Sequence, residues 1–133
     1  MGYNISMTKD QMYAEVIPYV GKHWARMIRL WPALAAHKAP ELRINARLRT
    51  TAGWCEHDAS FIELSFKLYQ FEENKRKMVL EILAHELIHA ADRLLYGCWT
   101  APATKRQAHG PLWKSMMVQY GLPPNTYHNL KIK

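Results

Sequence analysis

Leu83-Ala84-His85-Glu86-Leu87-Ile88-His89-Ala90 is the stretch on which the reading of this 133-residue chain turns. Two histidines four residues apart lie one helical turn from each other on one face, with Cβ atoms about 5–6 Å apart, so both imidazoles can reach a single metal ion. A glutamate directly after the first histidine stands beside that ion without ligating it, where its carboxylate can take a proton from an attacking water. The spacing predicts a helix that carries the working part of a zinc hydrolase.

The flanking residues extend that helix. Asn74 is placed to cap it, the apolar pattern carries it from about Lys75 to Tyr96, and Gly97 ends it. Met78, Ile82, His85, His89 and Asp92 project along one side, and Val79, Leu83, Leu87, Ala90 and Leu94 fill neighbouring apolar positions. Burial around most of the girth is the expectation. Inward-facing histidines in such a helix need partners, and a metal is one.

Upstream the period changes from helical to two. Leu42, Ile44, Ala46 and Leu48 alternate with Arg43, Asn45, Arg47 and Arg49, which predicts a half-buried strand with a basic outer face. Ala52–Glu56 and Ser60–Phe66 read as two further strands, with His57-Asp58-Ala59 as the turn between them. Connections this short exclude helical crossovers between successive strands, which points to an antiparallel meander.

At the N-terminal side, Thr8-Lys9-Asp10-Gln11 has the form of a capping box and opens an amphipathic segment reaching about Ala36. Its core stripe is Met12, Val16, Val20, Trp24, Met27, Ile28 and Trp31, with Pro18 expected to kink or interrupt the helix and Pro32 to end or restart it. A last helix is expected from Pro111 to Tyr120, closed by Gly121. The predicted fold is therefore α+β: one domain over residues 1–133, with a small three-stranded antiparallel sheet packed against helices and the metal motif on a buried helix.

Bulk properties fit that picture. Hydrophobic residues make up 49% and charged residues 22%, the balance of a globular chain long enough to bury a core. Cys55 and Cys98 form no Cys-x-x-Cys pair, which excludes a zinc ribbon and fits reduced thiols in the cytoplasm. No apolar run approaches the roughly 20 residues of a membrane span. Eighteen Lys and Arg against eleven Asp and Glu give a net charge of +7, which favours a polyanionic partner.

Catalytic zinc takes three protein ligands, so two histidines are not enough. A histidine six residues after His89 would mark the metzincins, but that position is Leu95. The candidates are Asp92, His109, His57, His128, Asp58 and the glutamates. Asp92 lies three residues after His89 and suits a hydrogen bond to a ligand imidazole, or a salt bridge to an arginine, better than ligation. His109 ends an aperiodic stretch just before Gly110-Pro111, where a short hinge could fold its ring over the metal helix. Spacing alone leaves that role level with a capping or solvent-facing histidine. The group that would stabilise an oxyanion stays open among Tyr96, Tyr120, His128 and several arginines.

Thr51-Ala52-Gly53-Trp54-Cys55, Ile62-Glu63-Leu64-Ser65, the helix motif, and His109-Gly110-Pro111-Leu112-Trp113-Lys114 together resemble the SprT-like metalloprotease family, which includes the Spartan proteases. The similarity spans about Arg43 to Tyr120. It implies a zincin-like domain with one zinc ion on His85, His89 and His109, and Glu86 as the catalytic carboxylate. It also implies protein substrates covalently trapped on DNA and an activity that depends on DNA, with single-stranded character favoured. Many members carry a cysteine-rich zinc ribbon or long partner-binding tails after the protease domain, and no such ribbon is read here up to Lys133. For nucleic acid, Arg43, Arg47 and Arg49 on one strand face are candidate phosphate contacts, as are Lys22, Arg26 and Arg29 on the first helix, and Trp54 or Trp99 could stack on an unpaired base.

Overall fold

The first helix, α1, spans Lys9–Leu30, and its capping box is complete: Thr8 Oγ1 accepts from the Gln11 N–H, and Gln11 Oε1 accepts from the Thr8 N–H. In this computed structural model, which describes residues 7–97, 109–125, 128, 130 and 131, Pro18 lies inside α1 without ending it. Pro18 and Ala14 are both exposed, so water can satisfy the carbonyl for which Pro18 has no N–H. The helix stops before Pro32, and a 3-10 turn over Pro32–Ala36 leads to the sheet. Met12, Val16, Val20, Trp24 and Met27 form the buried stripe.

The sheet comprises β1 (Glu41–Asn45), β2 (Gly53–Cys55) and β3 (Phe61–Ser65) in the order β1-β3-β2. β2 pairs antiparallel with β3, but β1 pairs parallel with β3, with Leu42 opposite Ile62. The sheet is thus mixed rather than an antiparallel meander. The short-connection argument constrains only strands that follow each other in sequence; residues 46–60, β2 among them, give the chain enough length to bring β3 back beside β1. β1 is also shorter than its alternating pattern, because Asn45 Oδ1 accepts from the Arg47 N–H at 2.7 Å and turns the chain. Arg47 and Arg49 therefore leave the strand, and the continuous basic face expected on it does not form. The expected turn before β3 is present, with Ala59 at φ 63° and Asp58 Oδ1 accepting from the Ser60 N–H.

Ser65 ends β3 and caps α2 (Phe66–Tyr69), accepting from the Leu68 N–H. α3 (Glu72–Lys77), a π-helical turn (Met78–Ile82) and α4 (Leu83–Tyr96) then run without a break. The Leu83 N–H bonds back to Met78 O, five residues away. Asn74 is not the cap, which is Phe71: it is buried within α3, donates to Leu68 O and Lys131 O, and accepts from the Lys131 N–H. The last helix, α5 (Pro111–Tyr120), starts with its proline in the first turn and ends at Gly121 with φ +98°.

α4 occupies the middle of the molecule. Leu83, Ala84, Leu87, Ile88, Ala90 and Ala91 are fully buried, as the girth argument required. Packed against α1, the sheet and α5, α4 leaves one strip of its surface facing a cleft.

Candidate metal centre

That strip is built by helical periodicity. His85, Glu86, His89 and Arg93 line one cleft of about 480 Å³, together with Thr50 to Cys55 from the β2 side, His109 and His128. His109 lies just before α5, and Gly110 and Pro111 turn the chain so that its ring meets those of His85 and His89. Nε2 of His109 is 3.1 Å from Nε2 of His89 and 3.3 Å from Nε2 of His85. Among the described residues, these three are the group whose donor atoms converge within 4.8 Å.

One indole backs all three rings. Trp113, one turn into α5 and fully buried, stacks on His89 with ring planes 12° apart, and its centroid is 4.7 Å from both His85 and His109. Burial holds the imidazoles neutral. His85 is pulled down to about 4 by desolvation, with His109 adding to the effect; His89 is driven well below its ordinary value by the same burial; His109 is lowered less.

The donor set fits a small divalent ion. Three neutral imidazoles whose Nε2 atoms meet at one point can each turn a lone pair to a shared ion. Their 3.1 and 3.3 Å separations match the roughly 3.3 Å edge of a tetrahedron of nitrogens placed about 2.0–2.1 Å from a metal.

Glu86 lies beside this triad, its Oε2 3.7 Å from His85 Nε2. Its carboxyl is buried and is pushed up to about 8 by desolvation, against the opposing pull of the Arg93 guanidinium. Gly53 on β2 sits against it: a Cβ there would meet Glu86 Cγ at 3.4 Å and the Glu63 carbonyl at 2.7 Å. The wall therefore approaches as backbone alone, which is what a glycine inside a strand permits.

The other sequence candidates separate from the centre. Asp92 is buried on α4. His57 and Asp58 are exposed on the turn before β3. His128 reaches the cleft wall, but its Nε2 donates to Thr50 O and its Nδ1 accepts from the Leu130 N–H. Tyr120 is buried against His23, and Tyr96 is 54% exposed; neither lines the cleft. Trp54 is exposed at the cleft rim, its Nε1 donating to Glu63. Arg43 lies over the Phe61 ring and pairs with Glu41. Trp99 and Cys98 fall outside the described residues. Gly53 and Arg93 were not singled out from sequence, though Arg93 follows His89 by one helical turn and a glycine among strand residues signals close approach.

The SprT-like family model matches residues 23–128. The chain belongs to the SprT-like family. Membership supports a metallopeptidase-like function, and the three converging histidines of this SprT-like chain could hold a metal ion. Curated relatives called Protein SprT, from Pseudomonas entomophila strain L48 and Pseudomonas putida strain W619, are 35% and 34% identical over 71 residues. The match covers 53% of this SprT-like chain and 40% of each relative, so the aligned part is less than half of their length. No solved structure gives a significant match. Among the described residues, no helix is long and apolar enough to cross a membrane.

Proposed function

We propose that this chain is a zinc-dependent endopeptidase, with one zinc ion per chain, that cuts proteins held on or near DNA in the cytoplasm of a cell or infected host. The observation that carries the peptidase reading is the convergence of three neutral Nε2 atoms beside a buried carboxylate, in a cleft open to a polypeptide.

Bound by His85, His89 and His109, zinc would polarise a substrate carbonyl and acidify a water toward a pKa of about 7. Glu86, beside the histidine centre, would accept the proton of the attacking water and deliver it to the leaving amine. Gly53 lets the backbone of β2 close directly against Glu86 and β3, and Trp113 holds the three imidazoles in one arrangement from behind. Asp92 supports the ligand face of α4.

The DNA part rests on the family resemblance, on the +7 charge and on exposed groups near the cleft. Trp54 at the rim offers a stacking face for an unpaired base, and Arg43, Arg47 and Arg49 are exposed for phosphates.

The test is metal analysis and cleavage of a protein crosslinked to a single-stranded oligonucleotide, for wild type and Glu86→Gln. One zinc per chain in both, with cleavage only by wild type and only when DNA is present, is the expected result. Cleavage indifferent to DNA would instead indicate a soluble protein substrate. A metal-loaded protein that binds DNA and never cleaves would be a zinc-stabilised binding module.

A further inference from the structure

We infer that Arg93 gives this cleft a subsite for a carboxylate, so that the polypeptide it prefers carries an acidic residue at a fixed distance from the bond that is cut. The inference rests on the peptidase reading and adds the chemistry of the substrate to it.

Arg93 is only 7% exposed and lines the same cleft as His85, Glu86 and His89. Its NH1 donates to two carbonyls at the end of β2, Cys55 O at 3.0 Å and Glu56 O at 2.7 Å. Among the described residues, no carboxylate comes within ion-pair distance of it. A guanidinium carries five N–H donors in a planar fork, and a buried one is stable only where its charge and donors find partners. The two backbone carbonyls occupy one nitrogen and fix the plane. Among the described residues the Cys55 thiol is the other group hydrogen-bonded to the guanidinium, and no oxygen beyond the two carbonyls takes its donors, which leaves donors for what enters the cleft.

The rest of the lining strengthens the case. Thr50, Thr51, Ala52, Gly53, Trp54, Cys55 and Ile82 are neutral, and Glu86 is the acid on the wall. Glu86 makes no ion pair with Arg93 and lies against the histidine centre, its Oε2 3.7 Å from His85 Nε2. An incoming carboxylate would meet a fork already oriented by β2, the bidentate geometry in which arginine holds a carboxylate best.

Distance along the helix turns this into a positional rule. Arg93 follows Glu86 by seven residues, about 10 Å along the axis of α4, and long helical side chains lean back toward the N-terminus. An extended peptide advances about 3.3 Å per residue, so the acidic side chain belongs about two or three residues from the reacting carbonyl, toward the Cys55 end of the cleft.

Binding to zinc-loaded Glu86→Gln protein tests this without turnover. The probes are capped octapeptides of alanine and serine carrying one Glu, or one Gln, stepped through successive positions, with Kd read by calorimetry or NMR titration. At one or two neighbouring positions the Glu peptide is expected to bind about tenfold tighter than its Gln partner, the scale of a charge-assisted hydrogen bond. Adding Arg93→Gln should bring the ratio to about one, whereas Arg93→Lys, which keeps the charge, should retain part of it. Equal affinity for Glu and Gln peptides at every position, or a preference that survives Arg93→Gln, overturns the subsite. Wild-type protein that fails to cut any of these peptides or a crosslinked protein would overturn the peptidase reading, a result separate from the Kd ratio.

Discussion

Gly53 on β2 and Glu86 on α4 meet with only hydrogen between them: the Cβ that any other residue would carry at position 53 lies 3.4 Å from Glu86 Cγ. The same Cβ would stand 2.7 Å from the Glu63 carbonyl and 2.9 Å from Leu64 Cδ2, and the carbonyl belongs to the backbone of the central strand and cannot swing away. Gly53→Ala is therefore expected to push β2 off β3, with a stability cost of about 1–3 kcal/mol. It should also move the wall that faces Glu86. Hydrolysis should fall at least tenfold while metal content is kept, measured by thermal melting, metal analysis and cleavage together.

The metal-free protein should lose stability on both sides of about pH 6.5. His85, His89, His109 and His23 all have values lowered by burial, so the unfolded chain binds more protons than the folded one below 6.5, and acidification destabilises the fold down through about 4, where His85 titrates. Glu86 has the opposite sign: raised from 4.5 to about 8, it stays protonated in the fold where the unfolded chain has lost the proton. That loss continues up to about pH 8. Between 4.5 and 6.5 the histidines oppose Glu86, but above 6.5 Glu86 acts alone. Chelator-treated wild type should melt on the order of 5 °C lower at pH 8 than at pH 6.5, and Glu86→Gln should remove most of that alkaline loss.

His109 tests the centre from its other helix. Its Nε2 closes the triad from outside α4, so His109→Ala leaves two nitrogens on one helix turn. Zinc affinity should fall by more than the roughly 10–100-fold expected for losing a group that merely supports a ligand. Trp113→Phe is the matched control. The indole N–H has no hydrogen-bond partner among the described residues, so a phenyl ring loses contact area without orphaning an acceptor. Competition with a chromophoric chelator measures both, and a His109→Ala protein with wild-type affinity would remove His109 from the site.

How much of this was legible beforehand follows the range over which each interaction acts. The histidine pair, Glu86 and the burial of α4 are local, written in a 3.6-residue period that a single helix carries. The capping box at Thr8 and Gln11 is local too. β1 pairing parallel to β3 is not: strand order is set by which edges meet after residues 46–60 have crossed, and the alternation of Leu42, Ile44 and Leu64 is the same in either direction. The roles of Gly53 and Arg93 are non-local for the same reason, since what makes them matter is Glu86 and the Cys55 carbonyl, each more than thirty residues away. His109 fell between: spacing could not raise it above a capping residue, and only the motif around it, Gly110 to Lys114, drew it toward the metal helix.

Arg43 and Arg47 carry the DNA proposal in its revised form, since only Arg43 remains on β1. Arg43 is half exposed but shares its charge with Glu41 at 3.2 Å and lies over Phe61, whereas Arg47 is exposed in the turn that Asn45 caps. Phosphate contacts release counterions, so each one adds to the salt dependence of binding. Reversing both charges to Glu should weaken affinity for a single-stranded oligonucleotide and flatten log K against log salt by about one to one and a half units, at roughly 0.7 per contact. Arg47→Glu alone should account for the larger part. An unchanged slope in the double variant would remove this surface from the proposal.

His23, remote from the cleft, should matter to the centre through the helices it ties. Its Nε2 donates to the Val79 carbonyl within the π-helical turn, which leaves Nδ1 to accept from the Tyr120 hydroxyl. One imidazole on α1 thereby fastens the turn leading into α4 and the end of α5, the two helices next to the ligands, while Arg26 covers the outer face of Tyr120. His23→Ala would orphan a buried carbonyl and leave a buried hydroxyl without its acceptor, at about 1–3 kcal/mol each, so melting should drop by roughly 10 °C. Because the His23 value is lowered, chiefly by burial, with Arg26 contributing and the Val79 bond opposing, part of the acid loss below pH 6.5 belongs to it and should disappear in the variant. Zinc still stabilises whatever folded state it binds. Saturating metal should therefore recover part of the lost melting temperature in His23→Ala, and a variant as stable as wild type at every pH would show that this brace holds nothing.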